Sequence, residues 1–349
     1  MGLLGFWLLI CSVLSWIIGL LVLSQATKLK LVQLPNHRSS HEHPTPNGGG
    51  MGIVLSSTIV GGFLVFQSSG SLSDPLLVIL VLGLPLAVLG MLDDIRNIPA
   101  RWRFTAQVAV VSSVLLLLDD IPTVGLSVPL GLSRWVFVPG LLLMGVWWIN
   151  LFNFMDGIDG IAGVQTITML VASSILMALT HPGIIGGPLW SLALCIVAAT
   201  LGFLLLNWPP ARIFMGDSGS IWLGLMIFAL ALLTVQQNLL SYATWLILAA
   251  SFISDATITL LIRLSHGERG YEAHRTHAYQ RLSRRWHGNR KTGHQRVTIL
   301  VLGINVVWLA PLAWGALLSP KYSLIFLIMA YLPVVIGVVW AGAGRSDHS

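Results

Sequence analysis

Residues 150–160 read NLFNFMDGIDG and lie between two long apolar runs. Asn150, Asn153, Asp156 and Asp159 recur at steps of three. On a continuous helix such spacing gathers side chains on one broad face. Gly157 and Gly160 follow the two acids, and glycine lets backbone or ligand approach closely. An Asx-rich turn between two spans is the plain alternative. Carboxylates set in apolar surroundings are unfavourable unless a cation or hydrogen-bond donors hold them. The stretch therefore points to a cation or phosphate site, with the rest of the chain bringing further acids to it.

The surroundings are those of a membrane. Of 349 residues, 55% are hydrophobic and 9% charged, against roughly 25% charged in a soluble domain. Mean hydropathy is +0.83. Eleven apolar segments approach the roughly 20 residues needed to cross a bilayer: 3–23, 49–67, 75–92, 104–118, 134–150, 160–179, 186–205, 219–237, 241–261, 297–317 and 322–341. The expectation is an all-α polytopic membrane protein of about eleven spans, forming one integral domain over residues 1–349. The first span lacks a charged leader and a clear cleavage site, so it reads as retained. Cys11 and Cys195 lie inside apolar runs and suggest neither a disulfide nor a metal site.

Charge supplies the sidedness. With eleven spans, the loops on one side hold 17 of the 19 Lys and Arg residues, leaving Arg134 and Lys321 opposite. Basic loops stay in the cytoplasm, which predicts an outer N-terminus and a cytoplasmic C-terminus. The net charge of +6 then reflects orientation and contact with anionic lipid, not nucleic acid. Asp93, Asp94, Asp156, Asp159, Asp217 and Asp255 all fall near cytoplasmic span ends, so the chemistry is expected on that face.

Further polar islands follow the same logic. LDDIRN puts Asp93 and Asp94 side by side, where repulsion favours a shared cation or donor. Helix capping is the alternative use, with Arg96, Arg101 and Arg103 as membrane anchors. NWPPARIFMGDSGS places Asp217 beside a helix start, suited to capping or to a metal-phosphate complex. Asn207 and Phe214 offer an amide and a ring to a base. The loop 262–296 holds nine Lys or Arg and five His, and His274, Arg275 and His277 suit an anionic substrate better than zinc. Asp255 is expected to face the interior or a partner. There is no P-loop and no dinucleotide fingerprint.

PNHRSSHEHPTPNGGG, LDDIRN, NLFNFMDGIDGIAG, NWPPARIFMGDSGS and HRTHAYQRL, in this order over roughly residues 30 to 300, resemble the motifs of the polyprenyl-phosphate N-acetylhexosamine-1-phosphate transferases. The resemblance implies a membrane transferase that joins a sugar 1-phosphate from a UDP-sugar to undecaprenyl phosphate, releases UMP and uses Mg2+. It implies that Asp217 holds the metal and that Asp93 and Asp94 engage the lipid phosphate. Asp156 and Asp159, with Asn153 nearby, would organise the diphosphate and nucleotide. Asn207 and Phe214 would contact the nucleoside, and His274, Arg275 and His277 the sugar diphosphate. HRTHAYQRL replaces the three-histidine run of the muramoyl-pentapeptide transferases. The chain thus looks closer to initiators of O-antigen and other surface polysaccharides, with a 6-deoxy sugar such as N-acetylfucosamine ranked first. A bacterial inner membrane, a UDP-N-acetylhexosamine, anionic lipids and a second copy of the chain are the implied setting and partners. The rival reading is a secondary transporter, which explains many spans but not acids gathered at one surface.

Overall fold

A computed structural model describes residues 2–33, 44–118, 134–268, 275–286 and 290–345. The chain begins with α1 (Gly2–Gln25), α2 (Met51–Ser56) and α3 (Gly62–Ser69), the last two joined by a π turn at Ser57–Gly61. Next come α4 (Pro75–Arg96), α5 (Ala100–Leu116), α6 (Arg134–Phe154), α7 (Ile161–Thr180), α8 (Pro188–Asn207) and α9 (Gly216–Gln236). The last group is α10 (Tyr242–Leu248), α11 (Ala250–Ser265), α12 (Ala278–Arg285), α13 (Arg290–Gly303), α14 (Ala310–Leu318) and α15 (Ser323–Trp340). The described strands are Val32–Gln33 and Thr45–Pro46, paired antiparallel with Val32 opposite Pro46. The fold is an all-α polytopic membrane protein.

Among the described residues, nine helices are long and apolar enough to span a bilayer, or ten if α10 and α11 form one span bent by 73°. By this measure the helices account for nine or ten of the eleven expected segments. The remaining expected segment corresponds to α5, whose 17 residues include Arg101 and Arg103 near its start.

Local chemistry sets the helix ends. Asp74 accepts the Leu76 N–H at 2.9 Å, and Pro75 opens α4, both favourable at a helix start. Asn97 closes α4 in the left-handed region, its N–H bonded to Asp93 O at 2.9 Å, a standard helix stop. Pro209 and Pro210 follow α8 and prevent its continuation.

Helix α9 is the central post. Trp222, Leu223 and Leu225 are fully buried, and α4 and α6 flank it. An all-round apolar helix is one enclosed on every side. A Cβ at Gly90 of α4 would lie 2.6 Å from the Asp217 carbonyl carbon. This contact fixes the C-terminal end of α4 beside the N-terminal end of α9. The Asp93–Asp94 pair is thereby carried to Asp217.

Candidate active site

The site is assembled where α4, α6 and α9 meet at one end of the bundle. Asp93 has both carboxylate oxygens engaged. Oδ1 accepts from Ile98 N–H and Oδ2 from Arg103 Nη1, each at 2.5 Å. The same Arg103 nitrogen stands 3.4 Å from Asp217 Oδ2. Asp94 turns elsewhere, since neighbouring residues on a helix point in different directions. Its Oδ1 accepts from Asn47 Nδ2 at 2.9 Å and from the Asp217 N–H at 3.3 Å. Its Oδ2 is buried and has no hydrogen-bond partner among the described residues.

Asp217 sits in the first turn of α9, where the helix dipole favours an anion. Asn153 Nδ2 donates to its Oδ1 at 2.8 Å and to Ser220 Oγ at 2.9 Å. Gly216 has φ +76, and a Cβ there would approach Asp94 Oδ2 and Asn47 Oδ1 at 2.5 Å. Glycine is thus needed twice over, for the left-handed backbone and for the carboxylate pressed against it. The first loop reaches this corner through backbone bonds. Phe214 N–H donates to Pro46 O at 2.8 Å, while Gly49 and Gly50 N–H donate to Phe214 O and Met215 O at 2.9 Å.

The opening stretch divides into separate roles. Helix α6 continues through Phe154, and the chain then leaves it in a turn. The four polar residues therefore do not share one helical face. Asn150 donates to Gln107 Oε1 and Val146 O, both at 2.7 Å, and so pins α6 to α5 away from the acids. Asn153 joins Asp217. Asp156, just past the helix, is half-buried. Burial, then the charges of Asp217, Asp94 and Asp159, push its carboxyl well above the ordinary carboxylate range.

Asp159 belongs to a neighbouring corner. Its Oδ2 accepts from Ala211 N–H at 3.0 Å and lies 3.2 Å from His294 Nδ1. Asn207 is buried beside it. The Asn207 amide accepts from Gly160 N–H and donates to Ile213 O, both at 2.9 Å, so it clamps backbone at both ends. Phe214 is half-buried. Asp255 caps α12, accepting from Ala278 and Tyr279 N–H at 2.9 Å, with His277 Nδ1 at 3.2 Å. His277 is therefore buried and tied to Asp255. Tyr279 OH then donates to Phe154 O at 3.0 Å, linking this segment to the turn that carries Asp156. Arg275 is half-buried, and its carbonyl accepts from Arg284 Nη2 at 3.0 Å. His274 lies outside the described residues.

Four carboxylates, Asp93, Asp94, Asp156 and Asp217, thus share a site with the Arg103 guanidinium. The negative excess and the partnerless Asp94 Oδ2 fit a hard divalent cation with oxygen ligands. Among the described residues, no three His, Cys, Asp or Glu side chains are drawn together as a ready-made metal cage. Sequence reasoning assigned Arg103 to membrane anchoring and did not single out Asn47, Ser220 or His294. The one available signal for Arg103 was its place ten residues after Asp93, just beyond Pro99, where a short turn returns it to the acids.

The glycosyl transferase family 4 profile matches residues 76–235, which hold Asp93, Asp94, Asn153, Asp156, Asp159 and Asp217. A probable undecaprenyl-phosphate N-acetylglucosaminyl 1-phosphate transferase of Bacillus subtilis is 30% identical over 264 residues, covering 74% of this chain and 71% of the relative. A decaprenyl-phosphate N-acetylglucosaminephosphotransferase of Mycobacterium leprae is 28% identical over 320 residues, covering 83% and 77%. A phospho-N-acetylmuramoyl-pentapeptide-transferase of Halalkalibacterium halodurans is 31% identical over 260 residues, covering 68% and 75%. With these matches, and with the acids gathered at one end of an apolar bundle, the chain belongs to glycosyl transferase family 4.

Proposed function

We propose that this protein transfers a sugar 1-phosphate from a UDP-sugar to a polyprenyl phosphate, undecaprenyl phosphate in a bacterial inner membrane, and releases UMP. The observation that carries the reading is the gathering of Asp93, Asp94, Asp156 and Asp217 at one end of a membrane bundle, with Arg103 between Asp93 and Asp217. A lipid phosphate reaches such a site from the bilayer and a nucleotide from water.

In the reaction, an oxygen of the lipid phosphate attacks the β-phosphorus of the donor. The bond from that phosphorus to the oxygen bridging the two phosphates breaks, and UMP leaves with the bonding pair. Asp94 is the group to take a proton from the lipid phosphate, because among the described residues its Oδ2 has no hydrogen-bond partner while both oxygens of Asp93 are engaged. Asp93 instead holds Arg103 in place. Asp217 would hold Mg2+, steadied by Asn153. Bound there, Mg2+ supplies charge neutralisation for the phosphates and for the leaving group. Asp156 lies within electrostatic reach of the same centre. Asp159, Phe214 and the Arg275–His277 segment form the donor side, with Asn207 shaping its backbone.

Arg96, Arg101, Arg103 and Arg212 cluster near this end of the bundle. Their charge supports a cytoplasmic site, an outer N-terminus and a cytoplasmic C-terminus. Exposed Arg285 on α12 suits anionic headgroups. The proposed donor class is a UDP-N-acetylhexosamine, and the product would start a lipid-linked surface polysaccharide such as O-antigen. UDP-N-acetylglucosamine heads the donor panel because two relatives above are named for that sugar. A 6-deoxy donor such as UDP-N-acetylfucosamine, favoured by the sequence resemblance, is its competitor.

The test is UMP release by the purified protein with undecaprenyl phosphate and a panel of UDP-sugars, with mass measurement of the lipid product. The expected product is heavier than the acceptor by one sugar phosphate. Absence of UMP with every donor, beside an active relative, overturns the reading and favours transport.

A further inference from the structure

Asp159 is fixed from more directions than its place in the turn requires. Ala211 N–H and His294 Nδ1 both meet its Oδ2. One turn further along α13, Thr298 Oγ1 donates to the Asp159 carbonyl at 2.9 Å. His294 and Thr298 are four residues apart and so share a helix face. His294 is 4% exposed and Thr298 fully buried. The residue after Asp159, Gly160, is the N-cap of α7, and its N–H is held by Asn207.

This is a built corner. Three remote elements, α8, the 208–215 linker and α13, converge on Asp159 and Gly160. With Oδ2 held by the Ala211 N–H and by the imidazole 3.2 Å away, the direction of the whole carboxylate is set. That direction decides which N–H or O–H of a nucleoside the group can meet. A loosely held carboxylate would sample several directions, and ordering it would weaken binding.

We propose that His294, supported by Thr298, is a positioning residue that holds the Asp159 carboxylate in the orientation that receives the nucleoside end of the donor; this rests on the transferase reading of the site. His294 touches Asp159 and acts through it. Its influence should therefore fall on the nucleotide substrate and spare the lipid phosphate, which meets the Asp93–Asp94 corner.

The experiment uses the full chain with His294→Leu, His294→Asn and Thr298→Val. UMP release is measured with donor varied at saturating undecaprenyl phosphate, and then the reverse. Thermal unfolding and size-exclusion elution check the fold. His294→Leu should raise the donor KM about tenfold, as for loss of a close polar contact that orients a carboxylate, and leave the lipid-phosphate KM unchanged. Asparagine places an N–H where Nδ1 stands, so His294→Asn should recover the donor KM to within about threefold of wild type. Thr298→Val should raise it less than leucine does, and it carries the test if His294→Leu does not fold. An unchanged donor KM in these variants overturns the positioning role. So does an equal rise in both KM values with no recovery by asparagine, which marks a packing residue only. A wild-type protein inactive on every donor overturns the transferase reading and this role with it.

Discussion

The Asn153 side chain donates to Asp217 Oδ1 across 2.8 Å, joining the last turn of α6 to the first turn of α9. The two residues stand 64 positions apart, and the contact turns two polar islands of the sequence into one site. The amide cannot compete for a cation through the nitrogen it presents. It orients the Asp217 carboxylate without neutralising it, and leaves the charge for Mg2+ and phosphate. Replacing Asn153 by Leu should lower kcat about tenfold or more, the usual effect of losing a hydrogen bond to a charged group. Asn153→Asp should be worse, because it sets a further carboxylate 2.8 Å from Asp217. Initial rates of UMP release across a Mg2+ titration check both, and wild-type rates in the leucine variant would remove Asn153 from the site.

Asp217 itself is tested by Asp217→Asn, which keeps the shape and discards the charge. Electrostatic groups at a reacting centre commonly contribute about 10²–10³-fold. The variant should fall by at least that much and lose its response to added Mg2+. A normal, magnesium-dependent rate would exclude Asp217 as the metal ligand.

Arg103 occupies the space between Asp93 and Asp217, where a divalent cation would also gain from both. Removing the guanidinium makes the cluster more negative. Arg103→Ala should therefore lower the Mg2+ concentration for half-maximal rate while reducing kcat, because Asp93 loses its partner and the transferring phosphate a nearby cation. Arg103→Lys keeps the charge but not the planar fork, and should shift the Mg2+ midpoint less. A higher Mg2+ requirement in Arg103→Ala would show that the arginine assists metal binding instead of competing with it.

Much of this was legible in the residues. Apolar length placed the helices, because bilayer thickness dictates segment length whatever the neighbours. The acids of LDDIRN, MDGIDG and GDSGS stood out because hydrocarbon tolerates so few charges. What composition could not reveal was how each polar side chain is satisfied. Asn150 and Asn153 sit on the same motif, yet one meets Gln107 and the other Asp217. Asn207 had the look of a ligand contact but spends both ends of its amide on backbone. His277 reads as a cation for an anionic substrate, whereas Asp255, 22 residues earlier, holds its ring. His294 carried no signal, since its partner Asp159 lies 135 residues away and only the packing of α13 joins them. Residue type announces a need for a partner, and remote packing decides which partner answers.

Asp156 yields the pH prediction. Its carboxyl is raised well above the ordinary range, mainly by burial and then by Asp217, Asp94 and Asp159. In the unfolded chain it titrates near the usual value of about 3.9. Between those two values the folded protein keeps a proton that the unfolded chain has lost, so stability falls as pH rises through that window. The contribution is fully present below the unfolded value and is lost as pH climbs to the folded one. Asp156→Asn abolishes this titration. In metal-free buffer the variant should unfold at a higher temperature than wild type near neutral pH, and the gap should narrow as pH falls toward about 4. Adding Mg2+ should narrow it at neutral pH as well, because a cation beside Asp217 offsets the repulsion on Asp156. Thermal unfolding of both proteins at several pH values, with chelator and then with Mg2+, measures the gap directly. A gap that widens on acidification has the wrong sign and would place Asp156 outside the acid cluster. Catalysis should move the other way, with Asp156→Asn the more stable protein and the slower enzyme.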